Sequence, residues 1–308
     1  MSPELVAAVL VSVTTAATPL LLAALGELVT EKAGVLNLGV EGMMLMGAVT
    51  AFATALATGS SVLAVLAGAA AGLVMALIFA VIALSLLANQ AATGLALTIF
   101  GIGLSALIGH AFIGTTFAGL PRLDIAGVSD LPVVGPLLFG QDALVYLSLA
   151  GVVAVTWFFN RTRWGLVVRA VGENHDAAHS IGYPVVLVRL AAAAFGGAMA
   201  GLGGAYLSLA YTPLWAENMT AGRGWIALAL VVFASWRPWR AFFGAYLFGG
   251  ITIIQLHAQG MGVGVPSQFL SMLPYLATIV VLVLISRDET RARLNAPACL
   301  GRSFHASG

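Results

Sequence analysis

Apolar runs of about 18–25 residues, separated by short polar breaks, fill this 308-residue chain almost from end to end. A helix needs about 20 apolar residues to cross a bilayer, and an unpaired strand cannot satisfy its backbone in lipid. A membrane barrel would instead show alternating segments of about 10 residues, and none occurs. Only 8% of the residues are charged, against roughly 25% in water-soluble domains. The fold class is therefore all-α and polytopic.

A 20-residue yardstick gives nine spans, at about 5–25, 35–56, 62–87, 94–113, 143–159, 185–209, 225–236, 242–257 and 269–286. The seventh is short for a crossing and reads as half of a broken element, completed by the irregular stretch 211–224. The run 195–204, FGGAMAGLGG, favours a re-entrant stretch or close helix contact, because small residues let backbones approach where lipid gives no hydrophobic drive. The transmembrane domain thus covers 1–286, and 287–308 is a polar tail. Glu4 stands where a cleavable signal would carry basic residues, so the first run is expected to remain as a span.

Basic residues set the orientation. With nine spans, Lys32, Arg161, Arg163, Arg169, Arg237, Arg240 and the tail arginines fall on one side, which the positive-inside rule makes cytoplasmic, with the N-terminus out. Arg189 lies about 7–8 Å inside the sixth span, within snorkelling reach of that surface. Arg122 and Arg223 fall outside.

Several chemistries are excluded. Lys32 is the single lysine and Ala33 follows it, so no G-x-x-x-x-G-K-[ST] phosphate loop exists. The chain must run downhill, use an ion gradient or borrow power from a partner. No H-E-x-x-H or G-x-S-x-G motif is present, and the histidines are scattered. Cys299 is the lone cysteine, and a net charge of +1 gives no basis for nucleic-acid binding.

Three regions stand out. The segment 161–184, RTRWGLVVRAVGENHDAAHSIGYP, is too polar to span, yet Leu166, Ala170, Ala177 and Ile181 recur at helical spacing, and Gly182 and Pro184 supply stops. It predicts a short amphipathic helix, either lying on the membrane or gripped by a soluble partner. The loop 114–142, with Pro121, Pro132, Pro136, Asp124, Asp130 and Asp142, is either a solvated connector or a docking surface. Glu41 is the one carboxylate inside an apolar run in this reading. It serves either a substrate pathway or a structural hydrogen-bonding role, with Gly39 and Gly42 beside it to open the helix. Asn37, Asn89 and Gln90 are weaker candidates for the same pathway.

The runs GELVTEKAGVLNLGVEGMMLMGA (26–48), NQAATGLALTIFGIGLSALIG (89–109) and GRGWIALALVVFASWRPWRAFFGAYLFG (222–249) resemble permease subunits of bacterial ABC importers. The branch is the one serving ribose-type sugars, branched-chain amino acids and nucleosides, and the nearest likeness is to nucleoside and simple-sugar permeases. RAVGENHDAAHSIGYP (169–184) resembles its cytoplasmic coupling segment. The resemblance implies a permease subunit in the bacterial inner membrane, working by alternating access. It also implies a cytoplasmic ATPase that binds ATP and magnesium, a second homologous permease and an extracytoplasmic substrate-binding lipoprotein. Arg169, Glu173, Asn174, Ala177, Ala178 and Gly182 are then the contacts to the ATPase. Arg122, Asp124, Glu217 and Arg223 are candidate contacts to the receptor. The permease itself would need no cofactor and catalyse no reaction.

Overall fold

The computed structural model describes residues 3–123, 135, 137, 139–261, 266–286 and 295–305. Its helices are α1 (Pro3–Lys32), α2 (Val40–Thr58), α3 (Ser61–Ala80), α4 (Gln90–Gly109), α5 (Ala143–Arg161), α6 (Arg163–Glu173), α7 (His175–Ser180), α8 (Val185–Tyr206), α9 (Arg223–Phe233), α10 (Pro238–Gly260), α11 (Ser267–Ser271) and α12 (Leu273–Ser286). Single π-turns extend α3 through Val81–Ser85 and α8 through Leu207–Tyr211. No strand occurs among the described residues, where two isolated bridges pair Thr116 with Leu214 and Arg122 with Asp142.

Among the described residues, seven helices are long and apolar enough to cross a bilayer. The expected nine apolar segments are all helical, but two are not full-length crossings among the described residues. Helix α9 has 11 residues, about 16 Å at the helical rise. The segment expected at 269–286 is divided at Met272 between α11 and α12.

Two boundaries shift, with consequences for function. Helix α1 does not stop at residue 25 but runs on to Lys32. Its last turns carry Glu27 and Glu31, which hydropathy alone reads as loop, yet both are buried. Helix α2 begins at Val40 rather than 35, because residues 33–39 enter the bundle as irregular chain. The hydroxyl of Thr98, about 12 Å along α4 from Gln90, donates to the Leu38 carbonyl at 2.9 Å. The first residues of α2 therefore lie well inside the bundle, away from the membrane surface.

Helix α2 is the hub, with 72% of its apolar window buried against α3, α4, α8 and α9. The glycine-rich face of α8 packs directly on α1, α2 and α3. A side chain on Gly47 would meet Gly201, and one on Gly204 would meet the Met44 carbonyl. Of the two readings for 195–204, close helix contact is the one observed. The outer faces of α3 and α4 stay open, with Leu66, Ile99 and Leu107 exposed.

Lys32, Arg169, Arg189, Arg237, Arg302 and the α5–α6 junction gather at one end of the bundle. The segment 295–305 folds back onto the same end.

Candidate functional site

Helix α9 starts against α2, and its first N–H groups have no intrahelical acceptor. Glu41, in the first turn of α2, supplies what they need. Its Oε1 accepts from the Thr220 hydroxyl at 2.5 Å and the Gly222 N–H at 2.8 Å, and its Oε2 accepts from the Gly224 N–H at 2.6 Å. A carboxylate at a helix N-terminus also meets the positive end of the macrodipole. Glu41 is 3% exposed. The open backbone that it satisfies belongs to a segment about 180 residues away, rather than to Gly39 and Gly42 beside it.

The chain approaching α9 is shaped to reach this joint. Asn218, Ala221 and Gly222 adopt positive φ at 53°, 47° and 82°, which folds residues 212–222 back into the bundle from the end of α8. The expected broken element is thus observed: an irregular inward stretch followed by a half-length helix.

Glu27 and Glu31 do related work at the basic end, and hydropathy patterning misses both. Glu27 lies buried beside the Asn37 backbone. Glu31 Oε2 accepts from the Trp236 indole at 2.5 Å, just past α9, where Ser235 and Trp236 also take positive φ. Glu41 thus holds backbone that is not regular helix, and Glu31 holds the Trp236 side chain at a second such turn. The signal available in the sequence was the four-residue spacing of Glu27 and Glu31, which places them on one helical face.

The other pathway candidates are placed as follows. Asn37 is buried, accepts from Gly39 N–H at 2.9 Å and lies 3.5 Å from Met43 Sδ. Gln90 accepts from Leu36 N–H at 2.8 Å at the basic end. Asn89 is exposed and caps α4 through Ala92 N–H at 2.9 Å.

Arg189 does not snorkel to the surface as expected. It is 1% exposed, because the tail closes over it. Its guanidinium donates to the carbonyls of Ala33 at 3.2 Å and Arg302 at 2.9 Å, and lies 3.0 Å from His175 Nδ1. Burial, and then the Arg189 charge, hold the His175 imidazole below the ordinary histidine range. In the tautomer that carries its proton on Nε2, Nδ1 accepts from the Arg189 guanidinium.

Residues 161–184 form two helices rather than one. Thr162 caps α6 through Gly165 N–H at 3.0 Å, and Asn174, in extended conformation, ends α6 and caps α7 through Ala177 N–H at 2.9 Å. Gly182, at φ 93°, stops α7 as expected. The buried face of α6 is Gly165, Val167, Val168, Val171 and Gly172, so the apolar stripe expected from Leu166 and Ile181 is corrected. Those two side chains are 60% and 73% exposed. Of the six coupling candidates, Glu173, Asn174, Ala177 and Gly182 face outward, Ala178 is buried and Arg169 is half-buried.

At the opposite end Arg122 and Glu217 are exposed, and Asp124 lies outside the described residues. Arg223 is half-buried: it donates to the Met219 and Thr220 carbonyls, both at 3.2 Å, and sits 5.1 Å from the Tyr211 ring centroid. Asp142 is a buried cap for α5, accepting from Leu144 and Val145 N–H at 2.9 and 3.2 Å. Burial pushes its carboxyl upward, against the pull of those bonds. Among the described residues, no group of three or more His, Cys, Asp or Glu could hold a metal ion.

The arrangement therefore contains a backbone joint inside the bundle and an exposed helix pair at the basic end. A putative glucose ABC transporter permease of Haloferax volcanii is 41% identical over 312 residues, covering 94% of this chain and 95% of that protein. A guanosine ABC transporter permease of Bacillus subtilis is 30% identical, covering 93% and 94%. A nucleoside ABC transporter permease of Lactococcus lactis subsp. cremoris is 31% identical, covering 87% and 88%. Residues 9–285 match the family described as branched-chain amino acid transport system / permease component, and the chain belongs to that family of ABC transporter permeases.

Proposed function

We propose that this permease moves a nucleoside or a related simple sugar or purine compound inward across the bacterial cytoplasmic membrane. A partner ATPase drives it by gripping α6–α7, and the basic end faces the cytoplasm by the positive-inside rule. One observation carries the reading. Helices α6 and α7 link two spans, bury one face against the bundle and turn Glu173, Asn174, Ala177 and the apolar knob Ile181 outward. A helix lying on anionic lipid carries Lys and Arg on its polar face, whereas the rim beside Ile181 is acidic, with Glu173 and Asp176 exposed. A pocket on a soluble partner accounts for both features.

Movement of α6–α7 changes the tilt of α5 and α8, to which they connect directly. Because α8 packs through glycine on α1, α2 and α3, such a tilt is passed on as a rigid-body shift. The half-helix α9 and the inward stretch 212–222 border the proposed path between the two ends, with Asn37, Asn89 and Gln90 along it and Glu41 as the brace that holds the joint. Arg122 and Glu217 are proposed contacts for an extracytoplasmic receptor, and a second homologous permease completes the pore. ATP and magnesium belong to the ATPase.

Glu173→Arg is expected to reduce the ATPase retained on co-purification about tenfold, a loss of about 1.4 kcal/mol, with uptake falling in step. Unchanged assembly and uptake would overturn the assignment.

A further inference from the structure

The segment 295–305 lies past residue 285, where the family match ends. Its sequence alone suggests no role beyond holding positive charge at one face. In the structure it is hydrogen-bonded to four separate parts of the basic end. Cys299 N–H donates to the Gly172 carbonyl at 2.9 Å, at the end of α6. Gly301 N–H donates to the Gly34 carbonyl at 3.2 Å, and Lys32 Nζ donates to the Asn295 carbonyl at 2.7 Å. The Arg302 carbonyl accepts from Arg189 at 2.9 Å and from Gln90 Nε2 at 3.4 Å. Phe304, 7% exposed, sits edge-on to His175 and His179 of α7, at 5.3 and 5.2 Å between ring centroids.

These contacts form a continuous path. Helix α7 holds Phe304, the tail holds residues 32–34, and residues 33–39 lead directly into Asn37 and Glu41. Glu41 in turn holds the start of α9. Tightly packed contacts of this kind carry displacement because interiors are close-packed and resist compression. Arg189 reinforces the same path, since it touches α7, the tail and Ala33 at once.

We propose that residues 295–305 are a positioning strap, with Phe304 as its key side chain, that passes motion of α7 to the 33–39 loop and so to the Glu41–α9 joint. The strap rests on the reading that an ATPase grips α6–α7. It makes no demand that the ATPase touch the tail. Its loss should therefore separate hydrolysis from transport, which a purely structural contact would not do.

The test uses the complete transporter, with its ATPase and receptor, reconstituted in liposomes, and measures solute moved per ATP hydrolysed. Phe304→Ala is expected to keep the ATPase bound and hydrolysing, while solute moved per ATP falls at least about fivefold, the low end of typical coupling between sites. Phe304→Tyr, which keeps the ring, is expected to restore the parental ratio. Should Phe304→Ala fail to accumulate, Phe304→Leu replaces it, with an intermediate ratio expected. A parental ratio in Phe304→Ala or Phe304→Leu overturns the strap, as does loss of ATPase binding with the ratio unchanged. If Glu173→Arg still releases the ATPase in those experiments, the coupling reading stands and only the strap fails. If Glu173→Arg changes nothing, the coupling reading itself has failed.

Discussion

Glu41→Ala is expected to leave almost no folded protein in the membrane. The substitution removes the acceptor for Thr220, Gly222 and Gly224 together, and the Thr220 side chain that it strands is fully buried. A buried donor left unsatisfied costs about 1–3 kcal/mol. Three such donors lost together cost about 3–9 kcal/mol, a large share of the roughly 5–15 kcal/mol that folded proteins have to lose. Glu41→Gln should be milder, about 1–3 kcal/mol. Its amide oxygen can still serve Thr220 and Gly222, but its NH2 then faces the Gly224 N–H, donor against donor. Thermal unfolding of the purified variants in detergent checks the order: parent, then Gln, then Ala. Folded Glu41→Gln protein should transport in proportion to its amount. A Gln variant as stable as the parent that moved no solute would make Glu41 a contact on the pathway and not a brace.

Glycines should respond with opposite signs according to what they face. Gly201 lies on α8 where a side chain would press on the Gly68 carbonyl and, 3.1 Å away, on Gly72 Cα. Neither neighbour can yield, because both are backbone of α3. Gly201→Val would separate α8 from α2 and α3 and is expected to cost about 3 kcal/mol, the upper end of ordinary overpacking. Gly103, in α4, faces open space: a Cβ added there would have no neighbour within 4 Å. Gly103→Ala should therefore gain up to about 1 kcal/mol from helix propensity alone. The same unfolding measurement reads both, and equal shifts for the two would refute the packing described for α8.

How far the fold was legible in the sequence follows from these residues. The apolar runs marked every crossing helix, because about 20 consecutive apolar residues have few other uses. The half-helix at 223–233 was legible as a run too short to cross. What hydropathy missed was polar groups buried in protein rather than in lipid. Glu27 and Glu31 lowered the local average and ended the first span early, although both sit inside the bundle, Glu27 beside Asn37 and Glu31 bonded to Trp236. Arg189 looked like a surface residue for the same reason, since the segment that covers it lies 113 positions further along the chain. The helical repeat through Leu166 and Ile181 pointed to a single amphipathic helix, and Asn174 divided it. A periodic pattern cannot distinguish a side chain facing the bundle from one facing a partner. Glu41 was visible as an anomaly, but its partners lie in the 220–224 turn and no local pattern names them.

The central claim is that this permease does no energetic work of its own and moves only when a nucleotide-driven partner displaces α6–α7. The most direct measurement reconstitutes the purified chain alone in liposomes, imposes a proton or sodium gradient and follows labelled nucleoside and sugar. No accumulation is expected under either gradient, with uptake appearing once the ATPase, receptor, partner permease and ATP are supplied. Accumulation driven by the gradient without nucleotide would contradict the claim.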